Sequence, residues 1–178
     1  DPVEALAGAT RRVVDAARAA GVAHLVFLSI CNIDRPEFDG FAYYVAKRRQ
    51  EQIVRSGGLS ATVVRSTQWH EFATNPAAVH EAGDRVTVQD WLVQPVAASA
   101  VAGVLVEEAV RRSGSRSISG PEVIALPELA RRLLAARGDH RTVEGVPAAL
   151  EAFRDGTLLA PPEAELLGPT VAEWLEQI

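Results

Sequence analysis

The chain lacks methionine altogether, has one cysteine, and carries one lysine among its 18 basic residues. Each shortage excludes something. A lone cysteine, Cys31, cannot form an internal disulfide, which fits a reducing compartment and makes a cytoplasmic location the expectation. No apolar run reaches the ~18 residues of a membrane span. No basic segment followed by an apolar one opens the chain, so neither a membrane helix nor a secretory leader is expected. Aromatic residues make up only 6%, so the core must be built mainly from Val, Leu and Ala. Positive charge is also short. A net charge of −5 speaks against nucleic acid as a partner, which would need a basic face. The arginine pairs (Arg11-Arg12, Arg48-Arg49, Arg111-Arg112, Arg131-Arg132) read as solvated helix faces. Metal-ligand spacing is missing too. "HEFAT" begins like H-E-x-x-H but has Thr74 at the fifth position, and His80 and His140 stand apart from other ligands. His24, inside an apolar run, reads as a satisfied core histidine, and Cys31 as incidental packing. No G-x-S-x-G surrounds Ser29, which speaks against a serine hydrolase.

What is present is a 178-residue chain, 48% hydrophobic and 23% charged, long enough for a real core. Apolar residues at Val3, Leu6, Ala7, Val13, Val14 and Ala17 follow a helical period, with Gly21 as the stop. "VAHLVFLSI" (22–30) reads as a strand buried on both faces, and "LSATVVRS" (59–66) as a second of the same kind. Between them lie the loop "CNIDRPEFDG" and a helix from Phe41 to Ser56 that ends at Gly57-Gly58. Strand, helix, strand at this spacing makes a parallel crossover. Ligands bind beyond the carboxyl ends of such strands, which here means Ser29 and the segment Ser66–Trp69. Further on, residues 71–89 are weakly patterned and "WLVQPV" reads as a short strand. Ser99 is a candidate cap for a helix to about Arg112. Leu126–Arg137 reads as a helix stopped by Gly138, and the tail holds two more, at about 148–154 and 171–177.

The motif with chemical content is "FAYYVAK" (41–47), which holds both tyrosines and the lone lysine. Residues four apart share a helix face, so Tyr43 and Lys47 project together, while Tyr44 points about 100° away. A free phenol is a poor acid or base at neutral pH, and an adjacent ammonium lowers its pKa. Such a tyrosine can exchange a proton with a carbonyl or alcohol oxygen, and Ser29 can hold that same oxygen. The plainer alternative is a half-buried Tyr43 with Lys47 paired to Glu51. A chain that uses arginine at every other basic position argues that an ammonium is needed at 47, because the two side chains are not interchangeable.

"ATRRVVDAARAAGVAHLVFLSI", "YYVAK" and "ATVVRSTQWHEFA" together resemble the short-chain dehydrogenase/reductase superfamily, and within it the atypical, NmrA-like branch of NAD(P)-binding proteins. The resemblance extends through "VQPVAASAVA" and "GPEVIALPELARRLLAARG". It implies an α/β fold: a Rossmann-like parallel sheet with flanking helices and a small, mostly helical C-terminal portion over the substrate. The expected domains are 1–112, the C-terminal half of an NAD(P)-binding domain, and 113–178, a lid subdomain. Tyr43 would be the acid/base. Lys47 would hold the nicotinamide ribose and tune the phenol, and Ser29 would orient the reacting oxygen. Ser66, Thr67 and Gln68 would lie along the NAD or NADP, with Trp69 and His70 facing a small-molecule substrate. A homo-oligomer would be in keeping with the family. Two departures stand out: serine at 66, where the family has proline, and alanine at 100, where it has aspartate.

The family signature, a glycine-rich turn after the first strand that meets the pyrophosphate, is not found among the 13 glycines. About three strand–helix units of the family pattern, roughly 80–100 residues at ~30 each, have no counterpart. A truncated sequence with an exposed sheet edge is the expectation. Three functions follow from these features: an oxidoreductase acting on a carbonyl, alcohol or quinone-like substrate, an NAD(P)-sensing regulator without turnover, or a remnant that binds no cofactor.

Overall fold

The computed structural model describes residues 1–178. Helix α1 (Pro2–Ala19) begins where the Asp1 carboxylate accepts the Val3 N–H at 2.8 Å, and Pro2 occupies the first turn, where its missing N–H costs nothing. It ends before Gly21, whose φ of +68° suits glycine. Strand β1 (Leu25–Ile30) runs parallel to β2 (Ala61–Ser66), from Leu25 opposite Ala61 to Ile30 opposite Ser66. Helix α2 (Ala42–Ser56) is the crossover between them. The full parallel sheet has the order β1-β2-β6-β9, with β6 at Ser115–Ser119 and β9 at Glu165–Leu166. This is the α/β, Rossmann-like architecture expected.

β2 is buried along most of its length, but β1 is half-exposed from Leu25 to Leu28, where burial on both faces was expected. The reason is topological. β1 stands at the sheet edge with a partner on one side only, so one side of its backbone has no neighbour to cover it.

The chain forms two compact units, which interleave in sequence, unlike the expected 1–112 and 113–178. The first comprises 1–66 and 102–117, the second 67–101 and 118–178. In the first unit α1 packs on α2. Val14 lies so close to Gly57 that a Cβ there would sit 2.4 Å from its Cγ1, and the Gln50 amide donates to the Thr10 hydroxyl at 2.8 Å. Helix α3 (Ala98–Arg111) opens in the second unit and continues into the first. Ser99 lies inside its first turn and does not cap it. In the first unit Glu108, fully buried near the end of α3, accepts from the Ser113 hydroxyl and N–H and from Arg116, tying the helix to β6.

The second unit contains a sheet of order β3-β4-β8. β3 (Val79–Ala82) and β4 (Arg85–Gln89) form a hairpin around Gly83, with φ +59°, and β8 (Thr142–Val146) runs parallel to β4. A short pair, β5 (Leu92–Val93) and β7 (Ile124–Ala125), leads into helix α4 (Leu126–Ala136). The tail has a single 3-10 turn at Glu151–Phe153 and a short helix α5 (Val171–Leu175), closed by a capping box between Thr170 and Glu173. All three tryptophans belong to this unit; both tyrosines belong to the first.

Candidate active site

In the first unit the placement of Tyr43 and Lys47 begins with Tyr44. Its ring is buried and stacks on Phe38 with centroids 4.0 Å apart, and Arg48 pairs with Asp39 at 2.6 Å. These contacts pin the first turns of α2, which has no side-chain cap, to the 3-10 turn at Pro36–Phe38. With Tyr44 fixed inward, Tyr43 lies a third of a turn round the helix and is 52% exposed. Burial, with Tyr43 and Cys31 nearby, pushes the Tyr44 phenol well above its ordinary range, so it is a neutral packing residue.

Lys47 reaches the carboxyl end of β1. Its Nζ donates to the Leu28 carbonyl at 2.8 Å and lies 4.4 Å from the centroid of the Phe27 ring, a cation–π geometry. An ammonium has three protons, and this arrangement uses one in a hydrogen bond. Burial lowers the Lys47 pKa, and the Glu51 carboxylate works against that. The expected lowering of the Tyr43 phenol is not found: partial burial raises it, and Lys47 is engaged with the strand.

Ser29 is only 1% exposed. Its register partner across the strands is Arg65, so both side chains share the sheet face on which Glu51 lies. The Ser29 hydroxyl makes no hydrogen bond of good geometry, although its dipole helps hold the Glu51 carboxyl down. The plainer alternative, a Lys47–Glu51 ion pair, does not form. Glu51 takes a bidentate pair of bonds from Arg65, both 2.8 Å, and Arg65 also meets Asp34 at 2.8 Å. Ser66, at the end of β2, is buried, and its carbonyl accepts the Cys31 N–H at 2.9 Å.

In the second unit Thr67 is buried and committed. Its hydroxyl donates to the Gln94 carbonyl at 2.6 Å and lies 2.9 Å from the Ser119 hydroxyl. Gln68 is half-buried, with an amide oxygen that has no partner, and Trp69 bridges to Val96. His70, expected to face substrate, is fully buried. Its ring stacks on Trp174 with centroids 4.7 Å apart, neither ring nitrogen has a partner, and burial pulls its pKa down to about 4 despite the opposing charge of Glu122. Two surface grooves, of about 370 Å³ beside Arg11 and Gln52 and about 510 Å³ beside Asp90 and Glu128, are lined by none of these residues.

Arg65 lay outside the sequence reading, and with it the Arg65–Glu51 pair. Its placement opposite Ser29 becomes visible only once the register of β1 and β2 is known. Cys31 is buried as expected, whereas His24 is satisfied but half-buried just before β1 and is not a core residue. His24 meets the hydroxyls of Ser60 and Thr62 at 2.8 and 3.1 Å, and the buried Cys31 thiol lies 3.5 Å from the Arg65 carbonyl.

Residues 3–111 match the model of the NAD(P)H-binding family, and the chain belongs to that family. This agrees with the resemblance to atypical short-chain dehydrogenases/reductases, and it makes the cofactor NAD or NADP. Solved structures share the fold at low identity. A nucleoside-diphosphate-sugar epimerase from Staphylococcus aureus is 17% identical over 94% of this chain and 69% of its own, with a TM-score of 0.63. An NADPH-dependent quinone oxidoreductase from Escherichia coli, complexed with NADPH, is 16% identical over 94% and 70%, with a TM-score of 0.62. A short-chain dehydrogenase/reductase superfamily protein from Agrobacterium tumefaciens with bound NAD is 18% identical over 97% and 70%, with a TM-score of 0.60. No curated protein matches the chain.

The residues present fit one end of such a cofactor. A ribose hydroxyl could take the two remaining Lys47 protons, beside the exposed Tyr43. A pyrophosphate finds no cradle, because the close glycines serve packing. Gly57 accommodates Val14, and a Cβ on Gly120 would sit 1.8 Å from the Pro95 carbonyl oxygen. After β1 the chain turns through Cys31 and Asn32 (φ +60°), without a glycine.

Proposed function

We propose that the chain supplies the nicotinamide-ribose end and the acid/base residue of an NAD(P)-dependent oxidoreductase. The observation that carries this is the Lys47 ammonium fixed at the end of β1, one helical turn from an exposed tyrosine hydroxyl. When bound, the cofactor supplies or accepts the hydride. Lys47 holds the ribose and stays charged. Tyr43, protonated at neutral pH like any phenol, gives its proton to the oxygen of a carbonyl or quinone-like substrate. Ser29, which is buried against Glu51, supports Lys47's surroundings and reaches a substrate oxygen only if its rotamer changes.

Replacing Tyr43 with Phe should lower carbonyl or quinone reduction by about 10²–10⁴-fold and leave thermal stability within about 0.5 kcal/mol, since the hydroxyl makes no hydrogen bond to the rest of the chain. Unchanged turnover would remove Tyr43 from the mechanism.

One observation favours a second reading, an NAD(P)-sensing regulator without turnover: Lys47 is bonded to the strand and the Tyr43 phenol is raised. Cofactor binding with no oxidation of NADPH against a panel of quinones and aldehydes would select it.

A further inference from the structure

Arg65, on β2, stands at the centre of a charged cluster in the first unit that links three elements. Its Nε and one terminal nitrogen each donate to Glu51 of α2 at 2.8 Å, and it meets Asp34, in the loop after β1, at 2.8 Å. Glu51 is only 4% exposed and is also approached by Arg55 at 3.5 Å. Glu51 follows Lys47 by four residues and therefore shares its helix face. Lys47, one turn earlier, is itself held by the Leu28 carbonyl. Three cations, Arg65, Arg55 and Lys47, thus share the field of one buried carboxylate, and its bidentate partner is Arg65.

We propose that Glu51, locked by Arg65, is a positioning residue that keeps the half-buried Lys47 ammonium charged while leaving its protons free for a ligand. The logic is electrostatic. Withdrawing an ammonium from water favours its neutral form, and a nearby anion restores the charged one. If Glu51 bonded Lys47 directly, it would occupy the protons that a ribose needs. Because Arg65 donates to both carboxylate oxygens, Glu51 is held on β2 and acts on Lys47 through its field. Arg65 also keeps Glu51 ionised: burial pushes the carboxyl up, but the bonds from Arg65, the Ser29 dipole and the charges of Arg65 and Arg55 bring it below its usual range. On α2, Tyr43 and Glu51 share the helix face of Lys47, Arg65 on β2 meets that Glu51, Asp34 meets Arg65, and β1 carries no ionisable side chain. Glu51 is the anion that supports the Lys47 charge.

This rests on the assignment of Lys47 above, but its test is independent of turnover. The chain has one lysine, so selective isotope labelling at lysine Cε gives one NMR signal whose pH titration belongs to Lys47. In Glu51→Gln the Lys47 pKa should fall by about one unit, a tenfold loss of proton affinity. Arg65→Met with Glu51→Met, which replaces the pair by packed apolar side chains, should give the same fall and guards against a fold lost through an unpaired Arg65. Arg65→Lys should keep most of the wild-type value. A Lys47 titration unchanged in both folded variants overturns the proposal, whatever the activity of the protein. If Lys47 shifts as expected while Tyr43→Phe leaves turnover intact, the electrostatic role stands and the oxidoreductase reading falls. In an active enzyme the high-pH limb of kcat/KM should move down with the Lys47 pKa.

Discussion

His70 shows what one buried side chain does to stability. A neutral imidazole must leave a donor unsatisfied when neither nitrogen finds a partner, and that costs free energy. Its pKa is about 4 folded and about 6.5 unfolded, so between those values the unfolded chain binds more protons. The contribution is therefore fully present above pH 6.5 and is lost as pH falls toward 4. His70→Phe keeps a ring to stack on Trp174 and removes both nitrogens. Its Tm should fall less than that of the wild type between pH 7 and pH 5, by differential scanning calorimetry. A parallel fall in both proteins would show that the pH dependence arises elsewhere. Residue chemistry of this kind was partly legible in the sequence. The i, i+4 spacing of Tyr43 and Lys47 could be read directly, because it depends on one helix. The burial of Ser29 and His70 could not, because each depends on what a distant segment lays over it: α2 in one case, α5 in the other.

Elements were readable where the pattern was local. α1, α2 and α4 stop where Gly21, the two glycines at 57–58 and Gly138 say they should, and β2 keeps its apolar run. The second sheet was not readable. Val86 and Val88 alternate with less buried residues in β4, but the run is five residues long, and its registered partners in β8 lie 57 residues further on, as from Val88 to Gly145. The junction of α3 and β6 was also hidden, because Glu108 looks like any helix-surface carboxylate beside Glu107. In the fold it is buried, with its carboxyl held at about 2 by Ser113 and Arg116 against the pull of burial. Glu108→Gln should cost about 2 kcal/mol at pH 7 in urea unfolding, since it weakens charged hydrogen bonds in a buried site. A depressed carboxyl stabilises above its unfolded pKa and stops doing so as pH falls toward 2, so the difference between variant and wild type should shrink below pH 4. A constant difference across that range would rule out the carboxylate as its source.

For the whole molecule the decisive property is which part of a dinucleotide the chain can touch. On the proposed function Lys47 and Tyr43 meet the ribose next to the nicotinamide, while no glycine turn follows β1 to take the pyrophosphate. The chain should therefore bind NADH and NADPH within about twofold of each other, by isothermal titration calorimetry. A preference of tenfold or more would mean that residues of this chain read the 2′-phosphate.

The placement of the aromatic residues has a spectroscopic consequence. Trp69, Trp91 and Trp174 all lie in the second unit, with Trp91 between Phe72 and Phe153. Tyr43, Tyr44 and Lys47 all lie in the first. Tryptophan emission therefore senses denaturation of one unit and an isotope label at the lone lysine senses the other, so an unmodified sequence already carries a separate reporter in each.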